Sequence, residues 1–192
     1  YTLRWLAEHN DVILVCFTRQ DDLPEAVEHL HQYCREVHTV PMRRGSLQDG
    51  LSLVGSLLCK QSFIIRRDQN STMYHLIERL LSENNFDAVH ADQLWMAQYA
   101  LQDRREVPGA RLVLDEHNAC YQIFARLAQG EGNCVKKWLW RREARYLQQY
   151  ESDVCRRFNR VVTVTRGDRH ILEALSQDAA GKTMSVSCAV GV

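Results

Sequence analysis

The stretch Phe86–Asn118, FDAVHADQLWMAQYALQDRREVPGARLVLDEHN, constrains the fold more than any other part of the chain. It reads as strand, helix, strand: Asp87–His90, then Gln93 to about Leu101, a turn at Val107-Pro108-Gly109, and Arg111–Asp115. Antiparallel neighbours can be joined by a tight turn, whereas parallel neighbours need a crossover, usually a helix. A parallel sheet covered by helices then reads as unbroken apolar runs, because its strands are buried on both faces. Val12–Phe17 and Val161–Thr165 are runs of this kind.

The rest of the chain repeats the alternation. Tyr1–His9 has the spacing of a helix end. Pro24 opens a helix capped by Asp21 or Asp22, and Val37–Val40 is a short strand stopped by Pro41. Ser46 to about Leu58 is a helix with Leu47, Leu51, Val54 and Leu58 at helical spacing, followed by the connector Ser62–Arg67. Asn70 or Ser71 caps the next helix, which Asn84-Asn85 breaks. After Asn118 come a short helix over Tyr121–Ala128 and one long helix from Cys134 to Phe158. On the long helix, Leu139, Glu143, Tyr146, Tyr150, Val154 and Phe158 form one stripe. A helix over Asp168–Leu175 and a strand over Thr183–Cys188 close the chain.

Six strands alternating with helices predict an α/β fold with a doubly wound, mostly parallel, Rossmann-like sheet. Right-handed crossovers would place helices on both faces. The expected first strand, with the Gly-rich turn such folds often carry, would precede Tyr1. Neither a G-x-G-x-x-G nor a P-loop pattern occurs in the chain.

Bulk composition excludes several classes. At 192 residues, 45% hydrophobic and 25% charged, the chain can bury a core as one globular domain. The formal net charge is zero, so no global basic field recruits nucleic acid. No apolar run approaches the ~20 residues of a membrane span. The seven cysteines form no C-x-x-C pair. They read as reduced thiols in a cytoplasmic protein rather than as a disulfide or metal framework.

Ligands of open parallel sheets bind at the carboxyl ends of the strands. Both strands of the central unit end there in polar residues. His117 follows the second strand directly, and its imidazole suits gripping a hydroxyl or a developing charge; it could equally fill a polar loop. Glu116 points to the opposite side if the strand continues, and Asn118 could cap the following helix. His90 and Asp92 face the same way on an extended chain, where an Asp–His contact would fix the ring tautomer. Asp92 is alternatively the N-cap of the helix at Gln93. His90, Asp92 and His117 lie on two loops without a ligand motif, so no metal site is assigned. Thr165 and Arg166 follow the strand at Val161 and could meet phosphate or sugar. The favoured alternative is a capping box between Thr165 and Asp168.

Two basic regions remain. Between Asn133 and Arg160 there are eight Lys or Arg against three acidic residues, with Trp138 and Trp140 among them. Around Ser46–Arg67, Arg43, Arg44, Lys60, Arg66 and Arg67 flank leucines and Phe63-Ile64-Ile65. The first composition suits peripheral contact with an anionic membrane, and the second suits contact with a lipid-linked or amphiphilic acceptor. Both also suit solvated helix faces with snorkelling cations.

The segments FDAVHADQLWMAQYAL, LVLDEHNACYQIFARLA, RREARYLQQYESDVCRRFNRVVTVTRGDR and SVSCAVGV resemble the N-terminal half of family 4 glycosyltransferases. The nearest likeness is to bacterial sugar transferases of polysaccharide or exosortase-associated systems. The resemblance implies half of a GT-B fold. Residues 1–188 would be the acceptor-side domain, and 189–192 would start the link to a C-terminal donor domain, here without the usual proline. It implies retaining transfer of a hexose from a nucleotide diphosphate sugar to a glycan or lipid-linked acceptor. No cofactor is expected beyond that donor substrate. The expected setting is cytoplasmic, at or near the inner membrane face, and the half alone is expected to be inactive. By the same resemblance His117 reaches the donor sugar, and His90 and Asp92 line the cleft. The competing readings are a non-catalytic α/β binding module and a sugar-nucleotide epimerase of similar architecture, which would need Asp92 and Glu116 in one cleft.

Overall fold

A computed structural model of the chain describes residues 2–42, 45–102, 109–176 and 181–186. The chain divides into two compact units, Tyr1–Asp49 and Gly50–Val192. In the first unit, helix α1 (Thr2–His9) leads into strand β1 (Ile13–Thr18), helix α2 (Pro24–Leu30) and strand β2 (Glu36–Pro41). β1 and β2 pair in parallel, from Ile13 with Glu36 to Thr18 with Pro41. Neither Asp21 nor Asp22 caps α2; Leu23 holds the cap position without a side-chain bond, and Pro24 opens the helix. Asp22 accepts from the Arg19 amide instead, at 2.7 Å, which closes a turn ahead of the helix.

Helix α3 (Ser46–Cys59) begins at the end of this unit. Its leucine spacing is as expected, but the stripe faces solvent: Leu47, Leu51, Val54 and Leu58 are all exposed. Ser62–Arg67 is not a plain connector. Phe63–Arg67 forms a short helix, α4, because two side chains cap it. Ser62 Oγ accepts from the Ile65 amide, and Glu143 accepts from the amides of Phe63 (2.9 Å) and Ile64 (3.2 Å).

Helix α5 (Ser71–Glu83) starts on the Asn70 side chain, which accepts from the Met73 amide at 3.1 Å. Strand β3 (Ala88–Asp92) follows. The expected Gln93–Leu101 helix arrives in two pieces, a 3-10 turn Leu94–Met96 and helix α6 (Ala97–Ala100). The break has a local cause: Gln93 has φ +76°, a left-handed backbone that cannot begin a regular helix. Then come strand β4 (Arg111–Glu116), helix α7 (Cys120–Gly130), helix α8 (Cys134–Arg157), strand β5 (Arg160–Thr163), helix α9 (Arg166–Leu175) and strand β6 (Thr183–Ser185). The Val107-Pro108 part of the expected turn, the rest of the expected last strand at 187–188, and the link at 189–192 lie outside the described residues.

In the second unit the strands run in the order β3-β4-β5-β6, all parallel. Each step moves the same way across the sheet, so right-handed connections bring α6, α7, α8 and α9 to one face. The core agrees. Leu112 and Leu114 of β4 and Val161 of β5 pack with Ala97 and Ala100 of α6, Leu147, Val154 and Cys155 of α8, and Leu172 of α9. Residues of opposite parity are only half-buried or exposed, among them His90, Val113, Val162 and Met184. Of the expected stripe, Glu143, Val154 and, at the helix end, Phe158 are buried, but the middle of the long helix packs one position further on. Its buried residues are Glu143, Ala144, Leu147, Glu151, Val154 and Cys155, while Tyr146 and Tyr150 sit at the edge. The six cysteines among the described residues are all free thiols.

Candidate functional site

β4 runs buried–partly buried–buried to its end, so consecutive carboxylates leave it on opposite sides. Asp115 faces the more open side with Asp92, its register partner on β3. The Gln93 amide donates to the Asp115 carbonyl at 2.8 Å and holds the two strand ends level. His117 folds back over this pair. Its Nε2 lies 3.1 Å from Asp92 Oδ1 and 4.0 Å from Asp115 Oδ1. The ring is 43% exposed and the Asp92 side chain 69%, so the group is open to solvent.

The expected meeting of His117 with the His90–Asp92 turn at one rim is therefore present, in a different pairing. Asp92 contacts His117, not His90, because the β3–β4 register sets Asp92 beside Asp115 at the strand ends. Asp92 is also not a helix cap: it belongs to β3, and Gln93 holds the cap position without a side-chain bond. His90 is exposed two residues back along the same face. A carboxylate facing Nε2 favours a proton on that nitrogen and leaves Nδ1 for another partner. Such an imidazole can orient a hydroxyl or stabilise charge developing above it.

The other side of the strand end is dry. Glu116 is 1% exposed, and neither of its carboxyl oxygens meets a hydrogen-bond donor among the described residues. It faces Glu151 of α8, fully buried, whose carboxylate accepts the Tyr121 amide at 3.2 and 3.4 Å at the start of α7. Burial, then the charge of Glu151, raises Glu116 well above the ordinary carboxylate range. Burial raises Glu151 too, against the lowering effect of Glu116 beside it and of the amides at the start of α7. Two ionised carboxylates cannot hydrogen bond to each other, whereas a carboxyl and a carboxylate can. The orphaned oxygens of Glu116 thus face a second buried carboxyl in a dry site, where two negative charges are disfavoured. As a substrate-binding residue Glu116 is misplaced: it points into the helix-packed side, away from His117. This also separates Asp92 from Glu116, the two carboxylates an epimerase would need in one cleft.

The remaining candidates divide. Asn118 is exposed and does not cap α7; Ala119 occupies that position, and its amide donates to Asp168 Oδ1 at 3.2 Å. Thr165 is used as a cap. Its Oγ1 accepts from the Asp168 amide at 3.0 Å and donates to Asp168 Oδ2 at 2.5 Å. Arg166, the first residue of α9, is exposed. Asp168 thus closes the α9 cap and also steadies the turn after His117.

Sequence reasoning missed Asp115, Glu151 and the use of Glu143. A signal existed for Glu143, an acidic residue on the predicted apolar stripe of a long helix, and Glu151 lies one position off that stripe. Among the described residues, Asp92, the partly buried Asp115 and His117 form one group that could hold a cation, their ligand-type atoms lying within 4.8 Å of one another. Exposed acidic groups commonly have this spacing without a metal, so none is assigned.

The family model described as "Glycosyl transferase 4-like domain" matches residues 2–183. No curated protein matches the chain closely enough to count as a relative.

Proposed function

Since the chain belongs to the glycosyl transferase 4-like domain family, which implies binding a sugar donor and an acceptor in general, we propose that it is the acceptor-side half of a retaining hexosyltransferase. The donor is a nucleotide diphosphate sugar, and the acceptor a glycan or a lipid-linked saccharide. The observation that carries this reading is His117, half-exposed at the carboxyl end of β4 and backed by Asp92 at 3.1 Å. In this role the imidazole grips a hydroxyl of the donor sugar beside the reacting carbon. Asp92 orients the ring, and His90 lines the same face. Stabilising the leaving diphosphate needs cations and free helix N-termini, which we assign to a second domain in a longer protein. Arg166, exposed at the start of α9, is the basic residue this chain would contribute.

The test compares the chain with a longer protein that contains it. The chain alone should show no turnover of nucleotide sugars. In the longer enzyme, His117→Ala should lower kcat by roughly 10²–10³-fold with the thermal midpoint unchanged. Turnover by the chain alone would remove the two-domain requirement, and an unchanged kcat would remove His117 from the site.

The same reading places the protein at a membrane face when the acceptor is lipid-linked. No helix among the described residues is long and apolar enough to cross a membrane, so the contact would be peripheral. The exposed α3 stripe and the pair Val135 and Trp138 beside Lys136 and Lys137 supply apolar and basic surface for it. Co-sedimentation with vesicles containing phosphatidylglycerol should be lost in the double variant Leu51→Asp/Val54→Asp. Equal binding by the variant would exclude α3 from that contact.

A further inference from the structure

The turn that carries His117 is held from beneath by two carboxyl groups, and a third, Glu116, stands at its start. Glu116 precedes the histidine; the amide of Ala119 donates to Asp168, and the amide of Tyr121 to Glu151. The ligand-type atoms of Glu116, Glu151 and Cys120 lie within 4.8 Å of one another. Among the described residues, the groups facing this pair offer it no cation. From α7 comes the Cys120 thiol, from α8 the Tyr150 phenol and the Cys155 thiol, and from the start of α9 the Asp168 carboxylate. Asp115 and His117, the neighbours of Glu116 on its own segment, lie on the other side of the strand, where His117 meets Asp92 and Asp115. Lys182 bears on Cys155, and Arg157 on Tyr150.

We propose that Glu116 and Glu151 share a single proton and act as a latch that positions the His117 turn. With the proton in place, the end of β4 is tied through Glu151 to the first turn of α7 and to α8. When it leaves, two anions face each other in a dry site and must separate, and the segment from Glu116 to Tyr121 loosens. Glu116 and Glu151 are positioning residues; neither touches the solvent side where His117 stands. The role in positioning His117 rests on the transferase reading above, whereas the latch itself does not.

The direction with pH follows from the raised carboxyls. The folded chain retains a proton that the unfolded chain releases above the ordinary carboxylate range. Stability from this site is therefore complete below that range and is lost as pH rises toward and past neutral. A one-proton difference corresponds to a fall in thermal midpoint of roughly 3–5 °C per pH unit for a chain of this size.

The experiment measures thermal midpoints of this chain from about pH 5 to pH 9, with amide NMR shifts of His117 and Tyr121 and 13C shifts of glutamate carboxyls. Glu116→Gln keeps the shape and supplies a permanent N–H donor to Glu151. The wild type should lose stability with rising pH while its Tyr121 and His117 amides shift together. The variant should show a flatter profile and overtake the wild type at the alkaline end. Equal slopes in the two proteins would overturn the shared proton. So would a stoichiometric bound metal whose chelation lowers stability, since the pair would then hold a cation. A flattened slope with His117 and Tyr121 shifts insensitive to the change would overturn the positioning role. If Glu116→Gln does not fold, the wild-type 13C titration decides: a buried carboxyl that remains protonated above the ordinary range supports the latch, and two that ionise normally refute it. None of these readouts involves a sugar, so failure of the transferase reading would leave them unaffected.

Discussion

Asp115 and Glu116 are neighbours in sequence and lie in opposite media. Asp115 looks onto the open side with Asp92 and His117, where solvent screens every charge. Glu116 looks into the helix-packed side, where it faces Glu151. One strand end thus carries two clusters, one free to meet a ligand and one closed. The difference is a consequence of strand alternation at the edge of a sheet packed by helices on one face. The open cluster costs the fold little and can be spent on recognition. The closed cluster governs how firmly the same turn is held.

α8 repeats the contrast in a different form. Glu143 and Glu151 are both buried glutamates on that helix, and each receives the N-terminal amides of another helix. Glu143 serves α4, the Ser62 hydroxyl also donates to it at 2.5 Å, and the Arg142 guanidinium lies 3.8 Å from it, so its charge is well answered. Glu151 serves α7 but also faces a second carboxyl. A carboxylate at a helix N-terminus is favoured by the free amides and the helix dipole; a second carboxylate beside it is not, unless it is protonated.

The comparison breaks most readily at Glu151. Glu151→Ala removes the acceptor of the Tyr121 amide, leaves Glu116 with no partner and opens space beneath α7. The expected loss is about 3 kcal/mol of unfolding free energy, read from urea denaturation monitored by the intrinsic tryptophans. A loss under about 1 kcal/mol would mean that water replaces Glu151 and that the closed cluster is not closed.

Much of this arrangement was legible in the sequence, and the illegible part has a consistent cause. The apolar runs Val12–Phe17 and Val161–Thr165 mark strands because nothing else explains such short unbroken runs, and the strand–helix–strand unit around His117 forces parallel pairing. The Thr165–Asp168 cap was readable from local spacing, as was Asn70 at the head of α5. Long-range partners were not. Ser62–Arg67 has no helical length of its own and becomes a helix because Glu143, far along the chain, caps it. Asp92 reads as a helix cap from its neighbours alone; only the β3–β4 register gives it to His117. Glu151 reads as a solvated residue on a charged helix, since an ionisable side chain breaks the apolar stripe used to find buried positions. Pairing two such residues in the core depends on a proton, which leaves no mark in the sequence pattern.

The smallest structural effect belongs to the open cluster, and it sharpens the contrast from the other side. Asp92→Asn removes one charge from an exposed pair, and solvent screening limits the change in unfolding free energy to about 0.5 kcal/mol or less. Its effect on catalysis should be larger. An amide can still touch His117, but it no longer holds the ring as a carboxylate does. In the longer enzyme kcat should fall by roughly tenfold, well short of the loss in His117→Ala. Stability and turnover would then separate cleanly: Glu151→Ala lowers the first several-fold more than Asp92→Asn, and Asp92→Asn lowers the second with the fold untouched. An Asp92→Asn protein that unfolds as readily as Glu151→Ala would show that the rim pair bears on the fold, and the division of the strand end into a working side and a holding side would be lost.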